Sequence, residues 1–159
     1  MIFVTLGTQA KDFSRLMKMV ENLAYEFDLK DVVAQVGHTK YKPANVECFS
    51  FTTVEQYEEY VSKAEVVITH AGTGAIFSAI KKGKKVIAVA RLKKYGEMIN
   101  DHQVESVQKL SGEGYILDGT YSVIEAWRKM DGFIPKPCDF ESTLPEEIGK
   151  VIDQWLCKS

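Results

Sequence analysis

The stretch Val66-Val-Ile-Thr-His-Ala-Gly-Thr-Gly-Ala-Ile-Phe-Ser-Ala-Ile80 decides the fold. Val66, Val67 and Ile68 are β-branched and consecutive, as in a parallel strand covered on both faces. Gly72 and Gly74 then allow a sharp turn and close approach of a ligand to the backbone. The apolar helix that follows leaves its first N–H groups unpaired, and its dipole adds roughly half a positive charge there. A strand, a small-residue turn and a helix N-terminus make an anion site whose usual occupant is a phosphate.

Outward from this unit, strands and helices alternate. Ile2–Leu6 reads as a strand, followed by the loop Gly7-Thr8-Gln9. Phe13, Leu16, Met17, Val20, Leu23, Ala24 and Phe27 fall on one helical face. Val32–Val36, Val46–Phe51 and Val86–Ala90 are further strands, and Tyr115–Leu117 is a short one. Thr52 and Glu55 have capping-box spacing for a helix running to about Lys63. Asn100–Leu110 and Val123–Met130 read as helices. The alternation predicts an α/β fold, a Rossmann-like doubly wound parallel sheet over residues 1–130. Residues 131–143, with Pro135 and Pro137, read as a linker, and residues 144–157 as a closing helix capped by Thr143 and Glu146. Its stripe Ile148, Val151, Ile152, Trp155 and Leu156 suits either this domain's core or a partner.

At 159 residues, with 45% hydrophobic and 26% charged residues, the chain suits one ordered domain and not a disordered one. A formal charge of −2 gives no electrostatic reason to expect nucleic acid. Seven basic residues lie between Lys81 and Lys94. Lys81, Lys82, Lys84 and Lys85 bracket a helix-to-strand turn, whereas Arg91, Lys93 and Lys94 follow a strand and are placed where they can face a ligand. Cys48, Cys138 and Cys157 are odd in number and have no C-x-x-C spacing, which favours a reducing cytoplasmic compartment over disulfides or zinc. No signal peptide or membrane-span pattern is visible.

Ligands of doubly wound sheets sit beyond the carboxyl ends of the strands. Four loops gather there: Gly7-Thr8-Gln9, Gln35-Val36-Gly37-His38, His70-Ala71-Gly72-Thr73-Gly74, and Arg91 to Gln103. A dinucleotide fingerprint fails because Phe77 stands where a third glycine is needed. Walker A fails because Lys85 follows Gly83-Lys84 and Ser78 stands five residues before Gly83. No G-x-S-x-G elbow and no D-x-D metal pair occurs. The charge of a bound diphosphate is therefore expected to fall to the helix N-terminus, to backbone amides and to Arg91, with no metal or other cofactor. His70 suits phosphate fixing or proton transfer, or simply the end of a strand. Glu97 suits an acid, a ligand contact or an exposed loop carboxylate. Asp101-His102-Gln103 suits a ligand contact or a helix cap.

The segments FVTLGTQ, AQVGHT, THAGTGA and ARLKKYGEMINDHQ, in this order and over Met1 to Asp118, resemble the C-terminal half of family 28 GT-B glycosyltransferases. The sequence is most similar to the small soluble subunits of split enzymes. These are the PssE-type subunits of bacterial capsule and exopolysaccharide synthesis and the cytosolic subunit of the eukaryotic dolichol-linked GlcNAc transferase. The resemblance implies that Gly7, Thr8 and Gln9 approach the donor diphosphate and sugar. It implies that His70 through Gly74 bind the diphosphate, and that Asn100, Asp101, His102 and Gln103 read sugar hydroxyls. Phe51 and Thr52 match the uracil region. Ser78 departs from the pattern, since relatives often place a ribose-binding carboxylate there.

A GT-B enzyme needs two Rossmann-like halves, and by length this chain is expected to supply the donor half alone. The resemblance implies a membrane-associated partner that holds a polyprenyl-linked acceptor, supplies the catalytic base and recruits this chain to the inner face of the membrane. The 144–157 helix is a candidate contact, and a homodimer is the expectation without that partner. The readings that follow are a UDP-sugar-dependent transferase subunit and a non-catalytic UDP-sugar-binding module. A third reading, UDP-sugar epimerisation, is disfavoured because epimerases carry both halves in one chain.

Overall fold

The computed structural model describes residues 1–138. Six parallel strands form one sheet: β1 (Ile2–Thr5), β2 (Val32–Gln35), β3 (Glu47–Phe49), β4 (Val66–Thr69), β5 (Lys85–Ala88) and β6 (Leu117–Asp118). Their order is β3-β2-β1-β4-β5-β6, so the winding direction reverses between β1 and β4. The helices are α1 (Ser14–Glu26), α2 (Val54–Lys63), α3 (Thr73–Lys81), α4 (His102–Gly112) and α5 (Val123–Arg128). The pleat sends alternate residues to opposite faces. Ile2, Val4, Val66 and Ile68 pack with α1 and α5 on one side, while Phe3, Val67, Val86 and Ala88 pack with α2, α3 and α4 on the other.

Boundaries moved where a local hydrogen bond outcompeted the ladder. The cap of α2 is Thr53, whose side chain accepts from Gln56 N at 3.2 Å, and not Thr52 with Glu55. Thr52 donates to the Gln56 side chain instead. The last strand begins at Leu117, because Tyr115 N turns back to Leu110 O at 3.0 Å and closes α4. β5 ends at Ala88 because Ala90 N bonds the Thr120 hydroxyl at 3.1 Å. Gly83, at φ +68, makes the turn after α3. Around it Lys82 and Lys84 bond the Glu58 and Ser62 carbonyls, so these lysines are spent at the sheet end away from the cleft. The closing helix expected over 144–157 and its cap lie outside the described residues. Among the described residues, no helix is long and apolar enough to cross a membrane.

One aromatic ladder sets the position of α2. Phe3 stacks on Tyr60 at 5.2 Å, Tyr60 stacks on Phe49 at 5.2 Å, and Tyr57 meets the Phe3 edge at 5.5 Å. Phe3 is fully buried, so Phe3→Ala loses both transfer energy and ring contacts. Urea denaturation of the variant should show a loss of about 3–5 kcal/mol.

Candidate functional site

The reversal between β1 and β4 splays their following loops apart, and a cleft of about 440 Å³ opens there. Gly7, Thr8 and Gln9 form one wall, His70, Gly72 and Gly74 another, and Gln35 closes the floor from the end of β2. Thr52 lines it from the side of α2. Thr5, Thr53, Val54 and Tyr57 line it as well and were not expected. Their signal was legible only in part: Thr5 ends β1, and Thr53, Val54 and Tyr57 share the first turn of α2. Which face of α2 turns to the cleft depends on the aromatic ladder.

His70 is the centre of the turn. Its Nδ1 lies 3.2 Å from the Thr5 carbonyl, so Nδ1 carries the hydrogen and donates, and Nε2 is left as an acceptor. Burial is the main cause that lowers its pKa to about 4; the Thr5 bond opposes this and the nearby Arg91 charge adds to it. The ring is therefore neutral at pH 7, and it shapes the anion turn without charging it. A Cβ at Gly7 would lie 2.5 Å from His70 Nε2, and one at Gly72 would lie 2.2 Å from it. Both glycines are required by this ring. Ala71 between them holds φ +63, a conformation that costs an L-residue about 1–2 kcal/mol.

The N-cap of α3 is Gly72, which has no capping side chain. Its first helical bond runs from Ile76 N to Gly72 O at 3.0 Å, so the N–H groups of Thr73, Gly74 and Ala75 have no partner within the helix. Gly74 has open space where its Cβ would stand. Gln35 is 6% exposed, and its Oε1 has no hydrogen-bond partner. A buried, unpartnered amide lining the cleft beside an uncapped helix end makes a polar ligand site. Gly37, at φ +55, supports it from beneath, since a Cβ there would meet the Gly7 carbonyl at 2.6 Å. Phe51 does not line the cleft; it is 49% exposed, edge-on to His38 at 5.1 Å, and lines a neighbouring groove with Thr52 and Gln56.

The remaining expected residues are placed elsewhere. Arg91 is 1% exposed and does not face the cleft. Its guanidinium stacks on Phe13 at 4.4 Å and donates to the carbonyls of Leu6 (3.2 Å), Lys11 (3.4 Å) and Asp12 (3.3 Å). It braces the Gly7–Gln9 loop from below. Glu97 is neither a free acid nor an exposed carboxylate. At 5% exposure it holds Arg15 through two bonds of 2.9 and 3.0 Å and accepts from Leu92 N at 2.8 Å. Asn100, Asp101, His102 and Gln103 are not among the cleft-lining residues. Asn100 caps His102 N at 3.2 Å, Asp101 accepts from Lys93 N at 2.8 Å, and Gln103 accepts from Arg91 N at 3.0 Å. Asp101 stands at the N-cap without a capping bond, because its carboxylate is committed to the preceding loop. At the position that departs from the family pattern, Ser78 donates to Glu58 of α2 at 2.8 Å. A carboxylate thus reaches the α2–α3 groove from the neighbouring helix.

A parallel sheet wound in this order with an open helix N-terminus at its switch point is a Rossmann-like fold, the fold shared by GT-B glycosyltransferase domains. The chain belongs to glycosyltransferase family 28, matching the family's C-terminal domain over residues 1–137. It is 30% identical over 135 residues to the human UDP-N-acetylglucosamine transferase subunit ALG13, covering 77% of this chain and 11% of that protein. The Candida albicans subunit of the same name is 21% identical, with 77% and 44% covered. The chain thus spans less than half the length of these relatives. The solution structure of ALG13 superposes with a TM-score of 0.62 at 19% identity, covering 92% of each chain. The glycotransferase of kitacinnamycin superposes at 0.57 and 18% identity, covering 86% of this chain and 35% of that one. At these identities the structures show the shared fold.

Two outcomes follow from the site's charges. As pH falls from the ordinary histidine value of 6.5 towards 4, the unfolded chain takes up a proton at His70 that the folded chain refuses. Stability present above pH 6.5 should fall across that window by about 3 kcal/mol, and His70→Asn should flatten the slope in urea titrations at stepped pH. Glu97→Ala strands Arg15 in a half-buried position and should cost about 3–5 kcal/mol, read by the same denaturation.

Proposed function

We propose that this chain is the donor-binding subunit of an inverting glycosyltransferase that moves a sugar from a UDP-sugar to a polyprenyl-linked saccharide. The observation that carries the reading is the cleft itself, where the uncapped start of α3 and the orphan Gln35 oxygen face the same space. Membership of family 28 and the printed names of the matched relatives support UDP-N-acetylglucosamine as the donor.

In this reading the diphosphate sits on the N–H groups of Thr73, Gly74 and Ala75, where unpaired amides and the helix dipole favour negative charge. Gln35 meets a donor group of the ligand, and Thr52, with the adjacent Phe51, borders the uracil; the Glu58 carboxylate is already held by Ser78 and Lys82. The acceptor hydroxyl oxygen attacks the anomeric carbon as that carbon's bond to the diphosphate oxygen breaks. The electron pair leaves with UDP, and the fixed amides stabilise the charge that develops there. The cleft's protein lining holds no Asp or Glu among the described residues, which supports a base supplied by a membrane-associated partner. That partner would carry the acceptor and recruit this chain from the cytoplasm to the membrane's inner face. No metal is required in this scheme, because the amides take the charge.

A Cβ at Gly74 meets no protein atom, so Gly74→Val should fold normally while filling the space the phosphate needs. Calorimetry with UDP in the presence of chelator should show binding by the native chain and at least a tenfold loss in the variant. Strict dependence on a divalent ion would overturn the amide-bound diphosphate. If the partner alone transfers sugar at the full rate, this chain is a binding module and not a catalytic subunit.

A further inference from the structure

The carboxyl edge of the sheet carries a second feature, remote from the cleft lining and independent of the UDP-sugar reading. The loop after β5 makes a short 3-10 turn at Lys93–Tyr95, and the loop after β6 brings Tyr121 beside it. Tyr95 is 57% exposed and Tyr121 66%. The Lys94 ammonium sits over both rings, 4.9 Å from Tyr95 and 5.6 Å from Tyr121, which makes the three side chains one patch. Ile99, further along the same loop, is 73% exposed. Behind Tyr95 runs a separate groove of about 620 Å³ along α1, flanked by Lys11 and Lys18.

The charges of this rim are unbalanced. Lys11, Lys18, Lys93 and Lys94 are exposed and make no ion pair with a carboxylate among the described residues. Of the neighbouring acids, Glu97 is neutralised by Arg15, whereas Asp101 and Asp12 accept from the uncharged Lys93 N, Ser14 and Lys40 N and keep their negative charge, so the lysines outnumber the unpaired carboxylates four to two. Among the described residues, four ammonium groups thus stand without a carboxylate partner beside two tyrosines and an isoleucine, the Lys18 one lying 5.4 Å from the Tyr41 ring.

We propose that this rim is a docking surface for an anionic phospholipid bilayer. Tyrosine rings settle at the depth of lipid headgroups, where one end meets hydrocarbon and the hydroxyl stays wet. Lysine stems lie along apolar surface while their ammonium groups reach phosphates. Lysine is depleted at protein–protein interface cores, so four of them around the rings fit headgroups better than a protein partner. The rim and the cleft both lie beyond the carboxyl ends of the strands, the rim on the loops after β5 and β6 and the cleft on the loops after β1 and β4.

The test uses the full chain and sedimentation with vesicles of mixed phosphatidylglycerol and phosphatidylcholine, against phosphatidylcholine alone. Binding is expected to the mixed vesicles only and to weaken as salt is raised. Each lysine near an anionic surface contributes about 1 kcal/mol, so Lys93→Gln with Lys94→Gln should cost about 30-fold in partitioning. The charge-keeping pair Lys93→Arg with Lys94→Arg should bind as the native chain does. Tyr95→Ser with Tyr121→Ser should weaken binding while keeping its salt dependence. Unchanged thermal midpoints show that the variants fold. Equal binding to both vesicle types, no vesicle binding, or an unaffected glutamine variant would overturn the proposal. So would loss of a protein partner, and not of vesicles, on changing the lysines.

Discussion

The imidazole of His70, lodged against Gly7 and Gly72, is the constraint on which the site depends. Its Nδ1–H is anchored on the Thr5 carbonyl, which ties the end of β4 to the end of β1 at the point where the winding reverses. Space for the ring exists only because both flanking positions lack a Cβ. The same packing forces Ala71 into a left-handed conformation and aims the start of α3 into the opening. The ring's neutrality is a consequence of this burial, so the positive potential at the cleft comes from the amides and the helix dipole.

Formal charges nearby are used to hold loops. Arg91 spends its guanidinium on three carbonyls of the loop after β1 and on the face of Phe13. Arg15 joins Glu97 to the Thr120 carbonyl at 2.6 Å and the Ala90 carbonyl at 2.7 Å, which stitches α1 to the ends of β5 and β6. Both arginines donate planar forks to several oxygens at once, a task suited to guanidinium and not to the point charge of lysine. The lysines are left to the outer surface. Loops braced by arginine around the cleft and exposed ammonium groups at the rim are therefore two outcomes of one division of labour.

The sequence alone determined the architecture and the place of the site. Val66–Thr69 is strand from end to end, because four β-strand residues in a row leave no competing period, and the Gly72–Gly74 turn falls where a helix must start. Order and spacing of the family segments placed the Gly7–Gln9, Gln35 and His70–Gly74 loops in one cleft, and the tertiary structure brings them there. What only the tertiary structure decided is which polar side chains are free. Arg91, Glu97, Asp101 and Gln103 have the chemistry of ligand contacts, yet each found a nearer backbone or side-chain partner once the loops closed. Tyr57 reached the cleft through its edge contact with Phe3, a contact between elements far apart in the chain. Residue type and local spacing specify what a group can do. Burial and the competition for hydrogen-bond partners, which arise only on folding, decide what it does.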